Sequence, residues 1–344
     1  MLGAGDAFLS GFLRGYLRGE QLSTCATWAN ACGAFAVSRL LCSPECPTWD
    51  ELQHFLRHGS RERALRKDET INHIHWATTR RPQPRRFVAL AATSRRDFEE
   101  FAGGTAVSDE RLSGLLRLAV AALGQGARGE PGHGIILDQN LGREALFDAA
   151  RLGLWIGRPA AVPGLQPDFG SWINEWPISH TVLVRLDLQD PAGRQQQCAL
   201  LAVLHQASRK VGRELMIEIA GKGGVEAALA ELYRLGIRPD WWLFDPQDAS
   251  TLEAIEATIA RHDPWCRGVA LRAGAMAAAG LVAAAGWPLV RGLVIGVDAL
   301  GAAPRRWLAG EISDADATAQ MAEEFASIAA LWKKGEEDEA SGAP

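Results

Sequence analysis

No stretch of this sequence is apolar for long enough to cross a membrane; every hydrophobic run falls short of the ~20 residues that a spanning helix needs. The N-terminus starts apolar but has no basic segment, and its residues show helical amphipathicity, so no secretory leader is read there. Basic charge is not in surplus. With 36 Lys and Arg against 41 Asp and Glu, the net charge is −5, which argues against a nucleic-acid partner. Paired cysteines are missing as well. Cys25, Cys32, Cys42, Cys46, Cys198 and Cys266 are scattered, and the spacing of Cys42 and Cys46 has no matching second pair, so no zinc site is expected. Reduced thiols and a cytoplasmic location are the expectation. What the chain does have is length: 344 residues, 47% of them hydrophobic, enough for one large domain or one large and one small.

The first informative stretch is Gly3-Ala4-Gly5-Asp6, running into Ala7-Phe8-Leu9-Ser10-Gly11-Phe12. Two glycines free the backbone to turn tightly, and the periodic apolar run over 7–18 predicts a helix. The N–H groups of Gly3, Ala4 and Gly5 then lie at a helix N-terminus, where unpaired donors and the positive dipole end favour an anion such as a transferring phosphate. Asp6 is placed to take a proton from a hydroxyl; a plain Gly-Asp helix cap is the alternative. Phe8, Phe12 and Tyr16 form one stripe with Leu9, Leu13 and Leu17 beside it, and Arg14 and Arg18 fall on the polar side. A second helix over 23–39, rich in Ala and Cys, suits close packing. After Pro44 and Pro47, Thr48-Trp49-Asp50-Glu51 reads as a capping box that opens a third helix through Leu56. These helices could cover one side of a sheet, but no strand pattern precedes them.

Residues 57–86 change character, with Arg61, Arg63, Arg66, Lys67, Arg80, Arg81, Arg85 and Arg86 beside Pro82 and Pro84. Such a basic run predicts a solvated connector. His73 and His75, two apart, lack the partners of a metal site. From Phe87 onward short β-like runs alternate with helical stretches. The predicted strands are Phe87–Ala91, Gly134–Asp138, Leu152–Ile156, Thr181–Asp187, Glu214–Ile219, Asp240–Asp245, Gly268–Arg272 and Arg291–Gly296. Eight strands alternating with helices over about 250 residues predict a (β/α)8 barrel, an α/β fold of the TIM type. The expected layout is a helical fragment over 1–60, a linker over 61–86, the barrel over 87–332 and a frayed tail over 333–344.

Barrel chemistry sits at the carboxyl ends of the strands. Those ends offer Thr93, Ser94 and Arg95, then Asp138 and Asn140, Arg158, Asp187, Glu218 and Lys222, Asp245, Arg272, and finally Gly296 and Asp298. Arg158 and Arg272 suit a phosphate or carboxylate, which guanidinium binds bidentately. Asp138, Glu218 and Asp245 could do acid–base work. Taken singly, each reads first as a cap for the helix that follows. Lys222, between glycines, reads as a wet or phosphate-binding lysine rather than a desolvated imine-forming one.

The opening string resembles the C-terminal signature of the ribokinase-like (PfkB) sugar kinases. From Gly3 nearly to Trp332 the chain resembles bacterial 5-dehydro-2-deoxygluconokinases of myo-inositol catabolism that carry a barrel fused behind the kinase. The likeness is closest in Gly3–Arg39, Thr48–Leu56, Ala64–Arg81, Gly153–Pro159, Pro239–Trp242 and Ile259–Gly268. It implies ATP-dependent phosphorylation of 5-dehydro-2-deoxygluconate, with ATP and Mg2+, with Asp6 as base and with Gly3, Ala4 and Gly5 as anion hole. For the barrel it implies similarity to a class I aldolase of the tagatose-bisphosphate type, splitting 6-phospho-5-dehydro-2-deoxygluconate and needing no cofactor. The departures are specific. Thr93-Ser94-Arg95 stands where the family has Asp-His-Arg. Leu243 replaces the lysine after Asp-Trp-Trp, Gly296-Val297 replaces a Gly-Arg pair, and Leu183 stands in place of another lysine. The family's sugar-binding residues lie upstream of this motif, so the kinase half is expected to be truncated, by a late start codon or a frameshift, and not active alone. Two alternatives stay open: a non-catalytic barrel that binds a sugar phosphate or a partner chain, and an aldolase with a relocated site. The expected partners are a sugar acid or sugar phosphate, and a kinase chain or a second copy of this one.

Overall fold

The structure, a computed structural model, describes residues 3–39, 46–93, 95, 98–99, 106–160, 173–189, 193–221, 223–274 and 278–342. They form two compact units, Met1–Pro82 and Gln83–Pro344.

The first unit is helical. α1 (Ala4–Tyr16) and α2 (Leu22–Ser38) meet along small residues. A Cβ on Gly11 would lie 2.8 Å from the Trp28 carbonyl oxygen, and one on Gly15 would lie 2.7 Å from Cys25 Sγ, so only glycine allows this approach. The contact reverses the expected orientation of α1. Its buried stripe is Ala7, Gly11 and Gly15, while Phe8, Leu9, Leu13, Tyr16 and Leu17 are exposed. Arg14 is not simply on a polar side, because its guanidinium lies over the Trp49 ring.

α3 (Trp49–His58) opens on the predicted capping box, with Thr48 and Glu51 bonded reciprocally. The stretch read as a solvated connector contains a 3-10 turn, Leu65–Lys67, and a helix, α4 (Glu69–Thr79). Asp68 caps α4 by accepting from the Ile71 N–H at 3.0 Å, and Ile71 and Ile74 are buried. Arg66 is used structurally, donating to the Ser38 carbonyl at the end of α2. The basic residues misled because the apolar helical period beneath them is short. His73 and His75 sit on α4.

The second unit is a closed barrel of parallel strands in sequence order, β1 to β8, with β1 also pairing β8. The strands are Phe87–Ala92, His133–Leu137, Trp155–Pro159, Thr181–Asp187, Leu215–Ala220, Trp241–Phe244, Gly268–Arg272 and Val290–Ile295. The fold class is the predicted one. β3 starts three residues later than read, because Gly153 (φ 68°) ends the preceding helix in the left-handed region and leaves Leu152 exposed. The last helix runs Asp314–Gly342, past the point where a frayed tail was expected. Its Lys, Glu and Ala composition favours helix. Among the described residues no helix is long and apolar enough to cross a membrane.

Alternation along the strands assigns the two faces. One buried cluster consists of strand residues alone: Phe87, Ala89, Ala91, Ile136, Trp155, Leu183, Met216, Trp241, Leu243, Ala270 and Val294. This is the barrel interior. The intervening residues, such as Leu90, Ile135, Ile217 and Trp242, join the core beneath the helices. Phe87 stacks on Trp155 with ring centroids 4.6 Å apart and meets Trp241 edge-on at 5.1 Å, which plugs the amino-terminal half. Glycine makes the room for these rings. A Cβ on Gly292 would sit 2.5 Å from Phe87 Cζ and 2.7 Å from Ala270 Cβ. Gly292→Val is therefore expected to cost about 1–3 kcal/mol by overpacking, read as a lower urea midpoint with an unchanged denaturant slope.

Candidate functional site

Aromatic rings fill the amino-terminal half, and the carboxyl ends of the strands are where this fold builds its sites. Parity sets which side chains enter. Leu183, Met216 and Ala270 face inward, so Arg185 on β4, Glu218 on β5 and Arg272 on β7, each two residues further on, face inward too.

Arg185 and Glu218 are register partners on adjacent strands. Glu218 is buried and accepts a hydrogen bond from Arg272 Nε at 2.7 Å through Oε1. Arg185 Nη1 lies 3.7 Å from the same oxygen. Two guanidinium groups thus converge on one carboxylate.

The other predicted residues are dispersed. Arg95 donates to the Val107 carbonyl and pairs with Asp109, ordering the start of the next helix. Thr93 is half-buried. Asp138 caps helix Gln139–Arg151, accepting from the Asn140 N–H at 2.7 Å, while Asn140 itself is exposed. Asp187 accepts from the Gln189 N–H. Asp245 is exposed, and its backbone carbonyl accepts from Gln247. Asp298 is exposed in a 3-10 turn, Val297–Leu300, that follows Gly296. Arg158 has the opposite parity from the interior residues and stacks over the Trp176 ring, 4.0 Å from its centroid. Burial pulls its pKa down to about 10, against an opposing pull from Asp138. Of the strand-end candidates, Glu218 and Arg272 are in contact among the described residues. Ser94, Lys222 and Cys42 lie outside the described residues.

Arg185 was missed by taking the last residue of each strand. In Thr181-Val-Leu-Val-Arg-Leu-Asp187 the signal was alternation, since Leu183, Arg185 and Asp187 share one face.

Lysine is the chemically decisive omission. The chain's lysines are Lys67, Lys210, Lys222, Lys333 and Lys334, and none lies on a strand. Leu243 is fully buried among interior apolar side chains. No group of three or more His, Cys, Asp or Glu side chains among the described residues is placed to hold a metal ion. A groove of about 1140 Å3 beside the amino-terminal ends of β1 and β2, lined by Arg86, His133, Trp332 and Lys333 among others, is remote from this chemistry. Two of its cations are engaged internally, Lys333 with Glu130 and Arg86 with the Ala285 carbonyl.

The helical unit adds one feature. Gly3 adopts φ 89° at the start of α1 with no side-chain cap, and Asp6 lies exposed in the first turn. Gly3 itself offers the first-turn N–H groups no side-chain acceptor.

Fold and site together define a (β/α)8 barrel protein with a polar carboxyl-end mouth and a separate helical unit. The chain belongs to the family described as "Uncharacterized protein conserved in bacteria (DUF2090)", whose model matches residues 51–336. Residues 1–49 match the pfkB family of carbohydrate kinases. No curated protein matches the chain. Among solved structures, a protein from Coccidioides immitis assigned as a fructose-1,6-biphosphate aldolase is 14% identical, covering 79% of this chain and 96% of its own, with a TM-score of 0.49. A protein from Aquifex aeolicus VF5 is 8% identical, covering 74% and 98%, with a TM-score of 0.31.

Proposed function

We propose that this chain is of the 5-dehydro-2-deoxygluconokinase type, and that its barrel binds a sugar acid or sugar phosphate at the carboxyl-end mouth without imine chemistry. The observation that carries the second part is the absence of lysine from all eight strands. A Schiff-base lyase needs an amine held in the barrel and desolvated until it is neutral. At Leu243 an apolar side chain fills that space. The Arg185–Glu218–Arg272 cluster keeps what binding needs: fixed donors for an oxyanion and an acceptor for hydroxyl groups.

Borohydride reduction in the presence of 6-phospho-5-dehydro-2-deoxygluconate is expected to leave the protein mass unchanged, while calorimetric titration of the same ligand shows binding. Covalent labelling at Lys222 would establish a relocated aldolase site instead.

The open start of α1 supports the kinase part. First-turn N–H groups suit a phosphate oxygen, and Asp6 suits proton removal from a sugar hydroxyl. ATP and Mg2+ belong to the pfkB family's chemistry; no cluster among the described residues is assigned to the metal. Joined to an upstream kinase portion that supplies the sugar pocket, the chain should phosphorylate 5-dehydro-2-deoxygluconate with ATP, and Asp6→Asn should remove that activity. An inactive joined protein would refute this part and leave the barrel reading standing.

A further inference from the structure

Resting on the reading of the mouth as an acidic-sugar site, we infer that Arg185 is the residue that docks the ligand's anionic group, and that Glu218 and Arg272 hold it in position. The three groups have unequal duties. Arg272 is committed, because its Nε donates to Glu218 at 2.7 Å and its side chain is largely covered. Glu218 is buried and faces both arginines. Arg185 stands at 3.7 Å from Glu218, too far for a hydrogen bond, and its side chain is 61% exposed. It has no further bonded partner among the described residues. The carboxylate holds this guanidinium by charge and leaves its donors unspent.

Arg185 presents exposed guanidinium donors beside a carboxylate already bonded to Arg272, which suits an anionic group. Of the acids around the mouth, Asp138 and Asp187 accept from backbone N–H groups of their own turns. Asp245 is exposed at the end of β6. An incoming carboxylate or phosphate can engage two parallel N–H groups of Arg185 without displacing the bond between Arg272 and Glu218. The carboxylates nearby then suit the hydroxyl groups of the same ligand, so the ligand class is a polyhydroxy compound with one oxyanion. An uncharged sugar would leave Arg185 unmatched.

Calorimetric titration with gluconate, glucose 6-phosphate, 6-phosphogluconate and glucose separates carboxylate, phosphate, both and neither. The wild-type chain should bind the anionic probes and not glucose. Arg185→Gln should weaken anion binding roughly ten- to a hundredfold, as for a charged hydrogen-bonded contact, with no change in thermal unfolding. Arg185→Lys should recover part of the loss, which a packing role would not do. Anion affinity unchanged in Arg185→Gln would overturn the assignment while leaving the mouth a sugar site. Glucose bound as tightly as gluconate and glucose 6-phosphate would also overturn it. Failure of the wild type to bind any probe would remove both this assignment and the site reading.

Discussion

Glu51→Gln is expected to destabilise the helical unit by about 3–5 kcal/mol, the usual result of removing one partner from a buried ion pair. Glu51 has no exposed surface and pairs with Arg39, whose side chain is also buried. Its other oxygen meets His75 Nδ1 at 2.7 Å and accepts the Thr48 N–H at 2.8 Å. Burial alone would raise the pKa of the carboxyl group. The bonds from His75 and Arg39, with the Arg39 charge, outweigh burial and hold it below the ordinary carboxylate range. The folded pKa is thus the lower one. The ionised group stabilises the fold above the unfolded value of about 4.3 and loses that contribution as pH falls through the folded value. Hydrogen exchange should show faster exchange across α1–α4 in Glu51→Gln, and the variant's acid unfolding should lack this low-pH component. Unaltered exchange in α2, α3 and α4 would disprove the role given to this carboxylate.

The same network joins two family matches. Arg39 lies in the stretch matched by the pfkB family, while Glu51 and His75 lie in the stretch matched by the barrel family's model. One buried carboxylate therefore ties the two stretches into a single unit ending near Pro82. The match boundary near residue 50 is not a structural boundary.

Local signals made the fold legible in the sequence. The capping box at Thr48 and the strands Thr181–Asp187 and Gly268–Arg272 are set by neighbours within a few residues, and each was readable. Where long-range packing overrode a local pattern, the reading failed. The large apolar side chains of α1 looked like its buried face, yet the glycine stripe allows α2 to approach on the other side. Asp68 hid a helix within a basic run because its capping role depends on Ile71 and Ile74 finding a core. At the mouth, Glu218 and Arg272 were legible as strand-end residues. Their pairing depends on barrel closure, and Arg185 shares their face only once the parity of β4 is known.

His180 should give this chain a second acid-sensitive component in a different pH window. It precedes β4 and is buried, and its Nδ1 has no hydrogen-bond partner among the described residues. Burial first, then the nearby charges of Arg158 and Arg213, lower its pKa from 6.5 to about 4. Both cations are fixed close by, Arg158 over Trp176 and Arg213 donating to backbone carbonyls, including that of Val211 at 2.6 Å. The imidazole is thus neutral in the fold while the unfolded chain protonates it near pH 6.5. Stability is complete above that pH and falls as pH drops towards 4, by up to about 3 kcal/mol. Below 4 the folded chain takes the proton too, and the loss stops growing. Urea unfolding between pH 7.5 and 4.5 should show this slope in the wild type and a flatter one in His180→Asn. The loss tied to Glu51 falls below this window, so the two variants should alter different parts of the pH profile. Parallel profiles for wild type and His180→Asn would mean that His180 is protonated in the folded protein, against the two arginines that face it.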